Sequence, residues 1–260
     1  MRAKELNLLV VGGFEGSGRM GILADAEALL SVGARCCVVS TAATAQGGGV
    51  SRVEPLSAHI VTAQLRAVLR LAPVRAVKVG VVPSLRLWRV LLRELPEGVP
   101  WVIDPVVTSS KGLRLSDCSP KDFRSLARPQ VILTPNVAEV AFLLGRRPLR
   151  SPDAMVDAAQ ALLDWGFGGV VIKGGDFGNA EVVDVACTRR SLVECRVRRL
   201  SRDARLRGTG CRHASWLAFA LARSYTLAKA ARFAQQQTGR YLAAGASKIS
   251  FSGPASRSAR

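Results

Sequence analysis

Gly208-Thr209-Gly210-Cys211 opens an apolar helical pattern and is the string richest in chemistry. Glycines let a backbone approach an anion closely, and the N–H groups at a helix start can hold charge developing on a transferred phosphoryl group. In that field the thiol pKa of Cys211 is expected to fall, which suits it to take a proton from a substrate hydroxyl. Packing alone also explains a glycine-rich helix start with a buried cysteine, so this string does not stand by itself.

Three further strings follow predicted strands. Thr134-Pro135-Asn136 with Glu139 places an amide and a carboxylate on the first turn of a helix, where hard oxygen ligands can hold Mg²⁺ or its waters. The same spacing also reads as an Asn N-cap with Glu at N3, and the two readings are compatible. Lys173-Gly174-Gly175 follows Val170 to Ile172, which puts a cation and close-approach glycines at the carboxyl end of a strand, where ligands bind in open α/β sheets. Asp104-Pro105, after Val102 and Ile103, repeats that arrangement with an acid, or is a turn-initiating Asp. The segment Gly12 to Gly21 is glycine-rich without GxGxxG spacing, and no Walker A string occurs, which disfavours dinucleotide-binding and P-loop enzymes. Asp25 and Gln46 lie beyond the first and second strands, and by default both read as solvated polar positions.

The elements that must position these residues alternate between apolar runs of strand length and helical periodicity, as in a doubly wound parallel sheet. Strands are expected at Leu6 to Val11, Cys36 to Ser40, Ala76 to Val79, Trp101 to Ile103, Val131 to Leu133 and Gly169 to Ile172, with Gly12 to Arg19 a loop. Helices are expected over Gly21 to Val32, Ser57 to Leu71, Pro83 to Leu95, Pro152 to Trp165, Gly210 to Arg223 and Leu227 to Ala244, with a short one from Val137. Val182 to Cys187 and Leu192 to Arg198 read as a hairpin, adding antiparallel strands at one edge. The expectation is one α/β domain over residues 1–247, with a mobile basic tail over 248–260.

A formal net charge of +18 and a pI near 11.0 bring polyanions into view. The arginines are spread through nearly every segment, and aromatics make up only 5%, so nucleic-acid binding as the main function is disfavoured and a basic surface favouring anions such as ATP is preferred. Six cysteines without a CxxC pair and only two histidines argue against structural zinc and for reduced thiols in the cytoplasm. No apolar run approaches the length of a membrane span, and the start of the chain does not read as a signal peptide.

In chain order, Gly21-Ile22-Leu23-Ala24-Asp25, Thr44-Ala45-Gln46, Ala76-Val77-Lys78-Val79-Gly80, Asp104-Pro105-Val106, Thr134-Pro135-Asn136 with Glu139, Lys173-Gly174-Gly175 and Gly208-Thr209-Gly210-Cys211 resemble the hydroxymethylpyrimidine and phosphomethylpyrimidine kinases over Leu6 to Ala246. The resemblance implies a ribokinase-like fold, with a mostly parallel sheet flanked by helices on both faces. It also implies an enzyme, commonly a homodimer, that uses ATP and Mg²⁺ to phosphorylate the hydroxymethyl group of an aminopyrimidine, or its monophosphate, in thiamine biosynthesis. Under it, Cys211 with Gly208, Thr209 and Gly210 forms the catalytic anion hole. Gln46, Asp25 and Gly13 face the pyrimidine; Lys173, Thr209, Asn136 and Asp104 serve the nucleotide; Glu139 and Asn136 serve the metal. An amide such as Gln46 supplies a donor and an acceptor together, as a pyrimidine edge requires.

This chain departs from the family pattern at Phe14, Glu15, Arg19 and Met20 in the first loop, at Gly47-Gly48-Gly49 after Gln46, at Ser109-Ser110-Lys111-Gly112-Leu113, at Asp176, and at Arg207, Arg212 and His213 around the Cys211 string. The changes touch the substrate loops more than the anion hole. A pyridoxine or pyridoxal kinase, and a catalytically lapsed pyrimidine-binding sensor, remain as alternatives.

Overall fold

A computed structural model describes residues 6–47, 50–109, 112–178, 180–200 and 206–245. The tail over 248–260, and Ser110 and Lys111 of the altered loop, lie outside the described residues. The strands are β1 (Asn7–Glu15), β2 (Arg35–Gly47), β3 (Val50–Pro55), β4 (Ala76–Val79), β5 (Trp101–Ile103), β6 (Val131–Leu133), β7 (Gly169–Ile172), β8 (Glu181–Thr188) and β9 (Ser191–Arg198). The helices are α1 (Gly21–Leu30), α2 (Ala58–Leu71), α3 (Leu85–Glu94), α4 (Pro120–Arg124), α5 (Val137–Leu144), α6 (Pro152–Leu163), α7 (Thr209–Ala222) and α8 (Leu227–Ala244).

The strands form one sheet in the order β3-β2-β1-β4-β5-β6-β7-β8-β9. Strands β2 through β7 in that order run parallel, whereas β3, β8 and β9 are antiparallel at the two edges. The fold is therefore the mostly parallel, two-sided α/β architecture expected from the sequence. Its central strands read as continuous apolar runs because both faces are covered. Within β1 the alternation still sorts side chains: Leu9 and Val11 join the core under α2, α3, α4, α5 and α6, while Leu8 and Val10 join the core under α1, α7 and α8.

Three elements differ from expectation. The first strand runs on through Gly12 and Gly13 to Glu15, with a register shift between the two glycines where a loop was expected. The second strand continues past Ser40 to Gly47 and turns back into β3, a hairpin with no apolar run to announce it. A single helical turn, α4, starts at Pro120 under a capping box between Ser119 and Asp122. All parallel strands deliver their carboxyl ends to one edge of the sheet, and the candidate residues collect there.

Candidate active site

Helices α2, α3, α4, α5, α6 and α8 start under a side-chain cap from Ser57, Ser84, Ser119, Asn136, Ser151 or Thr226. Among the described residues, only α1 and α7 start without one, so the first-turn N–H groups of both lack that partner. The two helices pack together, and Ser215 Oγ of α7 donates to Asp25 Oδ1 of α1 at 2.8 Å.

Glycine is required at both starts. Gly208 has φ +72°, and a Cβ there would lie 2.2 Å from the Arg19 carbonyl oxygen; Gly21 has φ +62°, and a Cβ there would lie 2.2 Å from that of Gly13. Arg212 fastens the arrangement. Buried at 1% exposure, its guanidinium pairs with Glu27 of α1, donates to the Arg19 and Arg207 carbonyls at 3.1 and 3.0 Å, and lies over the Tyr241 ring at 4.4 Å.

Lys173, at the end of β7, places Nζ 2.6 Å from Asp104 Oδ1 and 4.0 Å from Glu139 Oε2. It also stands 3.4 Å from where a Cβ on Gly210 would be, so the ammonium lies against the uncapped turn of α7. Burial works against its charge, but Asp104 and Glu139 hold its pKa above the ordinary lysine value. Asn136 Oδ1 accepts from the Glu139 N–H at 2.8 Å and Glu139 Oε2 from the Asn136 N–H at 2.7 Å, the capping box expected as one reading of that spacing. Burial raises the Glu139 carboxyl to about 7, opposed by Lys173.

Cys211 corrects an expectation. Burial raises its thiol pKa and outweighs Lys78 and the Gly21 N–H, which act in the lowering direction. Asp25 is not solvated either. Fully buried, it accepts from Lys78 Nζ at 2.7 Å and from Ser215 Oγ at 2.8 Å, so both carboxylate oxygens are engaged within the protein.

Gln46 lies two residues past the last β1–β2 pair, Glu15 with Thr44, and its Oε1 is buried without a hydrogen-bond partner. That orphaned acceptor marks a place for a donor. Gly13 lies at the β1 bulge opposite Ala42, with ordinary contacts to Thr44 and Val81. Thus Lys173, Asp104, Glu139, Asn136, Gly208, Thr209, Gly210, Cys211 and Asp25 converge at the sheet edge, while Gln46 lies on the β2–β3 hairpin.

Sequence reasoning assigned no role to Lys78, Arg212 or the Asp184–His213 pair. His213 Nε2 lies 3.3 Å from Asp184 Oδ2, outside hydrogen-bond geometry, and Asp184 Oδ1 accepts from the Gly174 N–H at 2.9 Å. This tethers the lysine loop beside α7. A single lysine among the apolar residues of a strand was the available sequence signal for Lys78, which the structure buries to 1% exposure.

The donors suit a nucleotide-borne Mg²⁺ better than a resident ion. Among the described residues no cluster of three metal-ligating His, Cys, Asp or Glu side chains occurs, and Mg²⁺ bound with phosphates needs only one or two carboxylates. Glu139 keeps Oε1 for that purpose, its hydrogen bond and ion pair both using Oε2, whereas Asn136 Oδ1 already serves the helix start. Among the described residues no helix is long and apolar enough to cross a membrane.

The chain matches the family described as Phosphomethylpyrimidine kinase over residues 16–255. It is 34% identical over 239 residues to a probable thiamine biosynthetic bifunctional enzyme, chloroplastic, of Oryza sativa subsp. japonica, covering 88% of this chain and 43% of that one. The chain thus spans under half the length of that plant relative. It is also 34% identical over 243 residues to a hydroxymethylpyrimidine/phosphomethylpyrimidine kinase of Streptomyces coelicolor, covering 92% and 89% of the two chains. A crystal structure of a phosphomethylpyrimidine kinase from Clostridium difficile 630 superposes with a TM-score of 0.74 at 28% identity, covering 92% of this chain and 100% of that one. With the fold, the uncapped glycine-rich turn and these matches agreeing, the chain belongs to the phosphomethylpyrimidine kinase family.

Proposed function

We propose that this protein transfers the γ-phosphoryl group of ATP to the hydroxymethyl oxygen of 4-amino-5-hydroxymethyl-2-methylpyrimidine, or to the phosphate of its monophosphate, in thiamine biosynthesis. The observation that carries the proposal is Lys173 Nζ standing 3.4 Å from the Cβ position of Gly210. An ammonium beside the positive end of an uncapped helix makes a place that favours an anion touching both, with Asp104 and Glu139 holding the lysine there.

The first-turn N–H groups of Thr209, Gly210 and Cys211 face the transferred group and Lys173 neutralises its charge, which is most of what phosphoryl transfer asks of a protein. Glu139 would hold Mg²⁺, which would supply further charge neutralisation. On the acceptor side, Gln46 Oε1 takes a hydrogen bond from the exocyclic amine of the pyrimidine. The acceptor oxygen bonds to the γ-phosphorus as the bond to the β,γ-bridging oxygen breaks and ADP leaves; with the hydroxymethyl acceptor the hydroxyl proton passes to the Cys211 thiolate, whereas the phosphate acceptor attacks as an oxyanion with no proton to give up. A raised thiol pKa makes that thiolate a scarcer but stronger base, which suits a loose transition state that gives up its proton late.

Cys211→Ala tests the reading. Turnover, followed as ADP release, is expected to fall while calorimetric affinity for the pyrimidine persists. Undiminished turnover would remove Cys211 as the base, and a folded parent protein without turnover would favour the sensor.

A further inference from the structure

The mechanism leaves one buried charge without a task. Lys78 is 1% exposed, and among the described residues its ammonium makes one hydrogen bond, to Asp25, out of three it can donate. A buried ion pair is a weak source of stability, since apolar replacements are often neutral or better. Its placement is informative instead. Asp25 follows Gly21 by one turn on α1, and Ser215 follows Cys211 by one turn on α7. The two helices are therefore joined one turn beyond their starts, where Ser215 Oγ donates to Asp25 Oδ1 at 2.8 Å. Lys78 reaches this seam from β4, with Nζ 2.8 Å from the Cβ position of Gly80 at the strand's carboxyl end, and its second and third N–H groups are left for the seam.

We propose that Lys78 is a positioning residue: anchored by Asp25, which Ser215 fixes in turn, it holds its ammonium beside Cys211 as the counter-ion of the thiolate. The inference takes its catalytic meaning from the reading of Cys211 as base. The charges that act on Cys211 include Lys78 of β4, Asp25 of α1, Asp104 after β5 and Lys173 after β7. Burial raises the thiol pKa most, Lys78 opposes it next, and Asp25 and Asp104 reinforce it. Neutralising Asp25 alone thus frees Lys78 for the sulfur, whereas neutralising the pair removes the counter-ion.

The test is the pH dependence of Cys211 alkylation by iodoacetamide in the full chain, read site by site by peptide mass spectrometry and requiring no turnover. Asp25→Asn is expected to lower the midpoint by about one pH unit, the low end of what a neighbouring opposite charge produces. Lys78→Met/Asp25→Asn, which keeps the Ser215 acceptor and fills the lysine's volume, is expected to raise it above the parent's. A purely structural role would not move the midpoints in opposite directions. Midpoints that move together, or do not move, overturn the inference. Should Asp25→Asn alone not fold, the double variant decides, and a midpoint at or below the parent's overturns the proposal. If the midpoints behave as expected while Cys211→Ala turns over normally, the base reading fails and the counter-ion stands.

Discussion

Substituting Gly208 by Ala separates backbone strain from displacement of the anion hole. The added Cβ would lie 2.2 Å from the Arg19 carbonyl oxygen and 2.7 Å from Arg212 Nη1. Restoring an ordinary C···O separation of roughly 3.3 Å moves the turn away from Arg19 by about 1 Å. A misplacement of about 1 Å costs on the order of a hundredfold in rate when the displaced groups stabilise the transition state. The left-handed conformation adds about 1–2 kcal/mol of strain. For a chain of this size that lowers Tm by about 2–4 °C per kcal/mol. Gly33→Ala is the control, because Gly33 also has positive φ, +76°, with nothing within 4 Å of its Cβ position. Both variants should melt several degrees early, but only Gly208→Ala should lose kcat, measured as ADP release with the pyrimidine and Mg·ATP saturating. A Gly208→Ala enzyme within about threefold of the parent kcat would refute the assignment of this turn to the transferred group, since a misplaced anion hole costs far more.

Lys173→Met should lower kcat by about 10²–10³-fold, as loss of one preorganised donor does; a threefold effect would place the ammonium away from the phosphates. Gln46→Ala should raise KM for the pyrimidine about tenfold, a hydrogen bond's worth, without lowering Tm, because the orphaned Oε1 contributes nothing to the unliganded fold; a clear drop in Tm would mean the amide is structural. Glu139 binds its proton more tightly folded than unfolded, so its contribution favours the fold below its ordinary 4.5 and is lost as pH rises to about 7. Mg·nucleotide binding should therefore release a proton near pH 6 and none near pH 9, read by calorimetry in buffers of different ionisation enthalpy, with Glu139→Gln abolishing the release; a parent protein with no pH-dependent release contradicts the assignment.

Two of the short central strands show what was legible to the residue: Trp101–Ile103 and Gly169–Ile172 are apolar runs ended by a charged residue, and the structure keeps those limits. The β2–β3 hairpin was not, because Thr44, Ala45 and Gln46 form no apolar run, and this part of β2 pairs only with the end of β1 and with β3. Local strings also carried the site, since Gly208 to Cys211, Lys173 and Asn136 with Glu139 each combine a chain turn with a chemical group. The partners that tune them were beyond reach. Lys78 meets Asp25 across 53 residues and Arg212 meets Glu27 across 185, and neither pairing leaves a periodic trace. The fall expected in the Cys211 pKa failed for the same reason: a helix start is visible in sequence, whereas burial is set by what packs over it.

The central claim is tested most directly by incubating the folded 260-residue chain with Mg·ATP and 4-amino-5-hydroxymethyl-2-methylpyrimidine, with pyridoxine in a parallel reaction, and identifying the product by mass spectrometry. The expected result is many turnovers to the pyrimidine phosphate with one ADP per phosphate transferred. A cooperatively folded protein yielding no phosphorylated pyrimidine, or phosphorylating only pyridoxine, would contradict the account.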